Sequence, residues 1–184
     1  RSPHAHAKIN GIDTSKAEAL KGVKAVICRD DFADQPSEMI QVGELSVNIR
    51  DVIRNVMARE KAMYDGHAIA AVAATSSSIA RKALKLIEVD YEVLPHVIDV
   101  EEAMKPDAPI LNEELYTDGV EPKPTKPSNI AKRLEIKLGD VELGFSEAEV
   151  IIEREYRTRP VHQGYIEPHA CVASYTEDLS LIHI

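Results

Sequence analysis

Apolar and polar positions along this chain fall into two patterns, one with a spacing of two residues and one with a spacing of three to four. Lys8 to Ile12 reads as a short strand. Asp13 or Ser15 then offers a cap for a helix through Lys16–Leu20, with Ser15 and Glu18 in capping-box spacing and Gly22 as the stop. Val23, Ala25 and Ile27 alternate with Lys24 and Val26 in a buried strand, so the first unit is strand, helix, strand. From Gln35 to Met57 the pattern is weak and predicts loop with short strands at most. The signal returns after Asp65-Gly66, where the continuous run Ala68–Ala74 suits a strand buried on both faces. Thr75-Ser76-Ser77 caps a helix from about Ser77 to Leu86, with Ile79, Ala83, Leu84 and Ile87 inward and Arg81, Lys82 and Lys85 outward. Val89, Tyr91 and Val93 alternate with Asp90 and Glu92 in a further strand closed by Pro95.

Prolines then interrupt the pattern. Five of the ten lie at 106, 109, 122, 124 and 127, which predicts a linker over 106–128 rather than regular structure. Beyond it, Leu134, Ile136 and Leu138 alternate with charged residues, Gly139-Asp140 turns, and Val150, Ile152 and Tyr156 alternate again. Two strands are expected there, and a third over Cys171–Tyr175. Leu179–Ile184 reads as the translation of a sequencing-library adapter and is excluded from fold reasoning, and Arg1 opens in what reads as mid-domain sequence.

Composition narrows the function classes. The 184 residues, 44% hydrophobic and 29% charged, are those of an ordinary folded chain. A net charge of −9 with no basic patch argues against nucleic acid. The longest strongly apolar run, Ala68–Ala74, is far shorter than the roughly 20 residues of a membrane-crossing helix. Cys28 and Cys171, without metal-finger spacing, fit reduced thiols in a cytoplasmic protein.

Candidate chemistry is sparse. His4 and His6 share one side of an extended segment, a spacing that can chelate zinc, but no third ligand is near and packing is the stronger reading. His162, Gln163, Glu167, His169 and Cys171 form the densest polar cluster, with Tyr165, Glu167 and His169 on one strand face. That cluster could host acid–base chemistry, or serve as a hydrogen-bonded turn at a domain junction. Gly139-Asp140-Val141-Glu142 lacks the glycines and the Lys-Ser/Thr of a phosphate loop, and Cys28 reads as a buried thiol with no base beside it.

Several stretches taken in order resemble one family. Ser2-Pro3-His4-Ala5-His6-Ala7-Lys8-Ile9, then Ala19–Val26, Asp65–Ala74, Ala80–Ala83, Val89–Pro95 and Ile98–Ala103 are similar to the opening α/β hammerhead domain of the molybdenum-binding large subunit of xanthine dehydrogenases and aldehyde oxidases. Gly139–Glu142, Gly144–Glu149 and Ile166–Ala173 resemble the start of the molybdopterin-binding domain. The resemblance implies an α/β (α+β) fold: a hammerhead over 1–105, the linker 106–128, and a truncated, β-rich molybdopterin domain over 129–178. It implies a fragment of an oxidoreductase that oxidises or hydroxylates an aldehyde, purine or N-heterocycle with water. It further implies molybdenum-molybdopterin as the cofactor of the full-length protein, with electrons passing to Fe-S clusters and FAD on partner subunits or domains. The alternatives are a thioester- or carbon monoxide-oxidising relative, and a stand-alone, non-catalytic interaction module. The family's Ser-Thr-Gln motif, Gly-Gly-Phe-Gly-Gly loop and late catalytic Glu are absent from these residues, so no catalytic, metal or cofactor-binding residue is assigned. Gln163, Tyr165 and Glu167 are assigned only to the substrate funnel or a domain junction.

Overall fold

The computed structural model describes residues 1–167. The elements run β1 (Ala7–Asp13), α1 (Ser15–Glu18), β2 (Val23–Cys28), β3 (Met39–Val42), β4 (Leu45–Asn48), α2 (Ile49–Val56), β5 (Lys61–Ala62), β6 (Ala70–Ala74), α3 (Ser77–Leu84), β7 (Glu88–Val93), α4 (Val100–Ala103) and α5 (Val141–Glu147). The chain divides into two compact units, 1–135 and 136–184.

In unit one every strand pair is antiparallel. Strands β5, β1 and β7 form one sheet, β2 pairs with β6, and β3 with β4. Helices and antiparallel strands are therefore mixed in the α+β manner that the sequence implied. The core lies on the β1 sheet, where Ile9, Ala58, Ala62 and Ile69 are buried, and Ile12, Val89 and Tyr91 pack against them. Burying an aliphatic side chain of this size contributes about 1.5–3 kcal/mol, so Ile9 and Ile69 dominate a core otherwise built from alanine.

The first strand–helix–strand unit forms, but β2 is not the buried strand expected, since Val23, Val26 and Cys28 are half-buried and Ala25 and Ile27 exposed, and the cap also differs. Thr14, not Ser15, reaches Glu18, its hydroxyl donating to the carboxylate at 2.6 Å, while Asp13 accepts from the Ser15 amide at 2.9 Å. Gly22 ends the segment at φ 97°, and a Cβ there would stand 2.7 Å from Ile79 Cδ1 and 2.9 Å from Thr75 Oγ1. Only glycine allows that turn and that approach of α3.

Three further expectations need correction here. The run into β6 is not buried on both faces: half-buried and exposed residues alternate along it, because only α3 covers one side. Helix α3 stops at Leu84, which is exposed rather than inward. Cys28 is half-buried at the end of β2, where its amide donates to Asp31 at 2.7 Å.

The weakly patterned stretch holds a hairpin, β3–β4, and helix α2, whose N-cap Asn48 accepts from the Arg50 amide at 3.1 Å. Cross-strand pairs Ile40–Val47 and Val42–Leu45 share one face of the hairpin, and at its distal end Val42 and Leu45 are exposed.

The proline-rich stretch lacks long elements, as its composition predicts, yet it belongs to unit one and is held there in detail. Asn129 fastens it: its amide donates to Ala103 O at 3.1 Å and Pro109 O at 3.0 Å, and its oxygen accepts from Leu111 N at 3.1 Å. Lys61 donates to Leu111 O at 3.0 Å and pairs with Glu113 at 2.5 Å. Gly119, at φ 74°, lies so close to Arg133 O that an added Cβ would sit 2.1 Å from it. One strap thus runs from Met104 to Arg133.

Unit two is different. Neither of the strands expected at 134–138 and 150–156 forms. Alternation prepares a strand for a partner, and among the described residues none is offered; Leu138, for example, is 93% exposed. Helix α5 occupies the expected turn, with Asp140 capping it by accepting from Leu143 N at 3.0 Å. The strand expected at Cys171–Tyr175 lies outside the described residues.

Candidate functional site

Helix α2 must satisfy the carbonyls of its last turn from outside the helix. Two side chains of the turn Tyr64-Asp65-Gly66-His67 do so. His67 Nε2 lies 2.9 Å from Arg54 O, and the Tyr64 hydroxyl donates to Asn55 O at 3.2 Å. The tautomer of His67 follows from its neighbours. A carbonyl only accepts, so Nε2 carries the proton, and the Met63 amide only donates, so Nδ1 accepts it at 3.2 Å. His67 is 2% exposed and stacks on Tyr64, with ring centroids 4.4 Å apart. Burial pushes its pKa below the ordinary histidine value, partly offset by its contacts with the Arg54 and Asn55 backbone.

This cluster forms one wall of a cavity of about 600 Å³ in unit one. The strap forms the other wall. Glu114 bridges Arg50 at 2.7 Å and Arg54 at 3.0 Å, and the Lys61 ammonium beside Glu113 holds that carboxyl below the usual carboxylate range. Arg59 lies beneath, donating to Arg29 O at 3.2 Å and Phe32 O at 2.8 Å. The cavity therefore brings together an aromatic face and paired charges, without the nucleophile–base pair that covalent chemistry needs.

The residues singled out from sequence lie elsewhere. His6 is buried, its Nδ1 proton donated to Pro95 O at 2.7 Å, while Nε2 is buried without a partner. His4 instead meets Tyr91 edge-on, with centroids 5.1 Å apart. Burial raises the Tyr91 phenol pKa. Gln163, Tyr165 and Glu167 are exposed in a stretch of unit two without helix or strand. His162 meets Tyr165 at 5.4 Å between ring centroids and accepts from the Gly164 amide at 3.0 Å. His169 and Cys171 lie outside the described residues. Among the described residues no three His, Cys, Asp or Glu side chains are grouped to hold a metal. No helix there is long and apolar enough to cross a membrane.

Comparison with known proteins places this architecture. The family model for the aldehyde oxidase and xanthine dehydrogenase a/b hammerhead domain matches residues 1–95, and that for the molybdopterin cofactor-binding domain matches residues 120–183. The chain belongs to the aldehyde oxidase and xanthine dehydrogenase family, a family of oxidoreductases. A probable hypoxanthine oxidase of Escherichia coli O157:H7 is 37% identical over 207 residues, covering 100% of this chain and 21% of that protein. The carbon monoxide dehydrogenase large chain of Afipia carboxidovorans is 38% identical over 178 residues, covering 95% of this chain and 21% of that one. A crystal structure of the Cu,Mo-CO dehydrogenase in its carbon monoxide reduced state superposes with TM-score 0.54 at 33% identity, over 82% of this chain and 18% of that chain. The chain thus spans about a fifth of the length of the curated relatives it matches.

Molybdopterin is an anionic, hydrogen-bonding group that needs an enclosing cradle of polar donors. Residues 136–167 are exposed throughout, and no buried polar atom among them awaits a partner. Those residues do not fit the cofactor by themselves, so no catalytic step is derived through it.

Proposed function

We propose that this chain is the hammerhead and the opening of the molybdopterin-binding domain of a molybdenum hydroxylase large subunit. The domain assignment is the one implied above: hammerhead over 1–105, molybdopterin domain from 129. The complete enzyme oxidises or hydroxylates an aldehyde, purine or N-heterocycle with water, in the cytoplasm, and passes electrons to Fe-S and FAD subunits in a hetero-oligomer. The observation that carries this reading is the order of the two family matches on one chain, the first falling on a unit with its own buried core. When bound, the cofactor supplies the redox chemistry and the protein positions it. This chain's part is to fold, to brace the strap against α2, and to present Gln163, Tyr165 and Glu167 at the substrate funnel or a domain junction.

A second reading within the family has its own support, because the carbon monoxide dehydrogenase large chain is as similar as the hypoxanthine oxidase. One experiment separates them. The holoenzyme carrying this sequence is purified with its partner subunits and assayed on hypoxanthine, an aldehyde and carbon monoxide. Turnover of the first two supports the primary reading, turnover of carbon monoxide alone supports the second, and an assembly without molybdenum would contradict both. Glu167→Ala in the same enzyme is expected to change kcat/KM; unchanged kinetics would remove Glu167 from the funnel.

A further inference from the structure

Among the described residues, every hydrogen bond and ion pair that runs from the strap, residues 104–133, to residues 1–98 is made by one of three cations. Lys61 donates to Leu111 O and to the Glu113 carboxylate, and Arg50 and Arg54 both hold Glu114. Most of the strap's other hydrogen bonds stay inside it. Asn129 fastens Pro109 and Leu111, Ser128 N donates to Leu115 O at 2.9 Å, the Thr117 hydroxyl to Ile130 O at 2.8 Å, and Asp118 N to Ala131 O at 2.9 Å. The strap is thus bonded to itself, and it reaches α2 and β5 through the side chains of two adjacent glutamates.

We propose that Arg50, Arg54 and Lys61 form a receptor for two adjacent carboxylates, occupied here in cis by Glu113-Glu114, and that an acidic peptide segment of a partner protein binds the same cations in place of the strap. Arg50 and Arg54 lie four residues apart on α2 and so share a face, where one carboxylate meets both guanidinium groups. Lys61 gives one proton to a carboxylate and another to a backbone carbonyl of the same segment, which is recognition of a peptide rather than of a free oxyanion. The cis occupant fills the receptor incompletely. A single oxygen, Glu114 Oε2, serves both arginines, and Arg50 Nε and Arg54 Nε are buried without a partner. Guanidinium and carboxylate pair more strongly through two parallel N–H···O bonds, so a carboxylate free of the strap's backbone can bind better than Glu114 does. Charge complementarity sets the sign of the partner. With the strap lifted, this wall presents Arg50, Arg54 and Lys61 against Asp51 and Glu60, while Arg59 beneath them keeps Asp34 at 3.8 Å. The strap itself competes as a tethered ligand, with an effective concentration on the order of millimolar, so the receptor is masked while the strap is closed.

The test is fluorescence anisotropy on the 184-residue chain, with a labelled Gly-Ser-Glu-Glu-Ser-Gly peptide and its Gln-Gln counterpart as probes. Glu113→Gln combined with Glu114→Gln removes the cis carboxylates, and this double variant should bind the Glu-Glu peptide at least about tenfold more tightly than the wild-type chain does. The Gln-Gln peptide should not bind, and adding Arg54→Gln should abolish the gain. Raising the salt from about 0.02 M to about 0.5 M should weaken binding, because charge carries it. Should the double variant fail to fold, amide exchange on the wild-type chain serves: over the same salt range, exchange at residues 111–118 should accelerate while β1 and β7 stay level. Equal affinity in the double variant and the wild type, equal binding of the two peptides, a gain that survives Arg54→Gln, or strap exchange indifferent to salt would each overturn the proposal.

Discussion

The two units carry similar raw material and use it in opposite ways. Unit one places Ile9 and Ile69 beneath strands that pair, then closes itself with a strap of prolines and polar latches. Unit two carries branched apolar residues at a similar density, among them Ile136, Val150, Ile151 and Ile152, and leaves all of those among its described residues exposed. Hydrophobic residues in strand-like alternation therefore do not make a sheet. They make a surface that becomes a sheet when hydrogen-bonding edges meet it. The strap teaches the converse: a stretch that cannot form helix or strand is held by side chains placed on backbone carbonyls, Asn129 and Lys61 above all.

The sharpest way to break this contrast is a matched pair of truncations. Ile69→Ala should lower the stability of unit one by about 2–5 kcal/mol, as core aliphatic deletions do, whereas Ile152→Ala should stay within about 0.5 kcal/mol. Urea denaturation of both variants reads the difference, and equal losses would mean that unit two has a core. Asn129→Ala comes next. It removes three hydrogen bonds from part-buried backbone groups, and should cost about 1–3 kcal/mol and open residues 106–128 to limited proteolysis. An undigested strap would show that the latch is incidental.

Acid provides a smaller, graded effect. The folded state holds the pKa of His67 below the unfolded value of 6.5, so between those two values the unfolded chain binds more protons than the folded one. This contribution is complete above pH 6.5 and declines by at most about 1.4 kcal/mol per pH unit as the pH falls toward the lowered value. Thermal midpoints measured from pH 7.5 to 5.5 should fall accordingly in the wild-type chain and stay level in His67→Gln. Smallest of all is Lys16→Ala. The Lys16–Glu88 pair raises the lysine pKa but is fully exposed, and its removal should leave the melting temperature unchanged within error.

Much of unit one was legible because its signals are local. Ser76 before Ile79 and Ala83, and Val89, Tyr91 and Val93 before Pro95, each carry cap, period and stop within ten residues or so, and α3 and β7 formed close to where those signals fall. Helix α2 carried comparable signals in the Asn48 cap and in Ile49, Val52, Ile53 and Val56, but its single strong apolar face follows a hairpin too weakly patterned to announce it. Asp140 capped a helix that read as a turn because the apolar residues after it, Val141, Leu143 and Phe145, are spaced by two rather than by three to four. The failures at 134–138 and 150–156 have another cause, since strand formation is decided by a partner and no window of sequence contains one. The cluster around His67 was least legible. Arg54 and Glu114 come to it from outside the turn's own stretch of chain, and only the Asp65-Gly66 turn marks the place. The residues chosen by polar density, Gln163, Tyr165 and Glu167, stand on the exposed stretch of unit two, because a dense polar run is also what a solvated segment looks like.

Amide exchange across the intact chain, read peptide by peptide by mass spectrometry, tests the central claim most directly. The account predicts slow exchange in β1, β7 and the strap latched by Asn129, and exchange near the unprotected rate throughout residues 148–167. Protection in that stretch equal to that of β1 would contradict it, and would mean that unit two completes a core of its own.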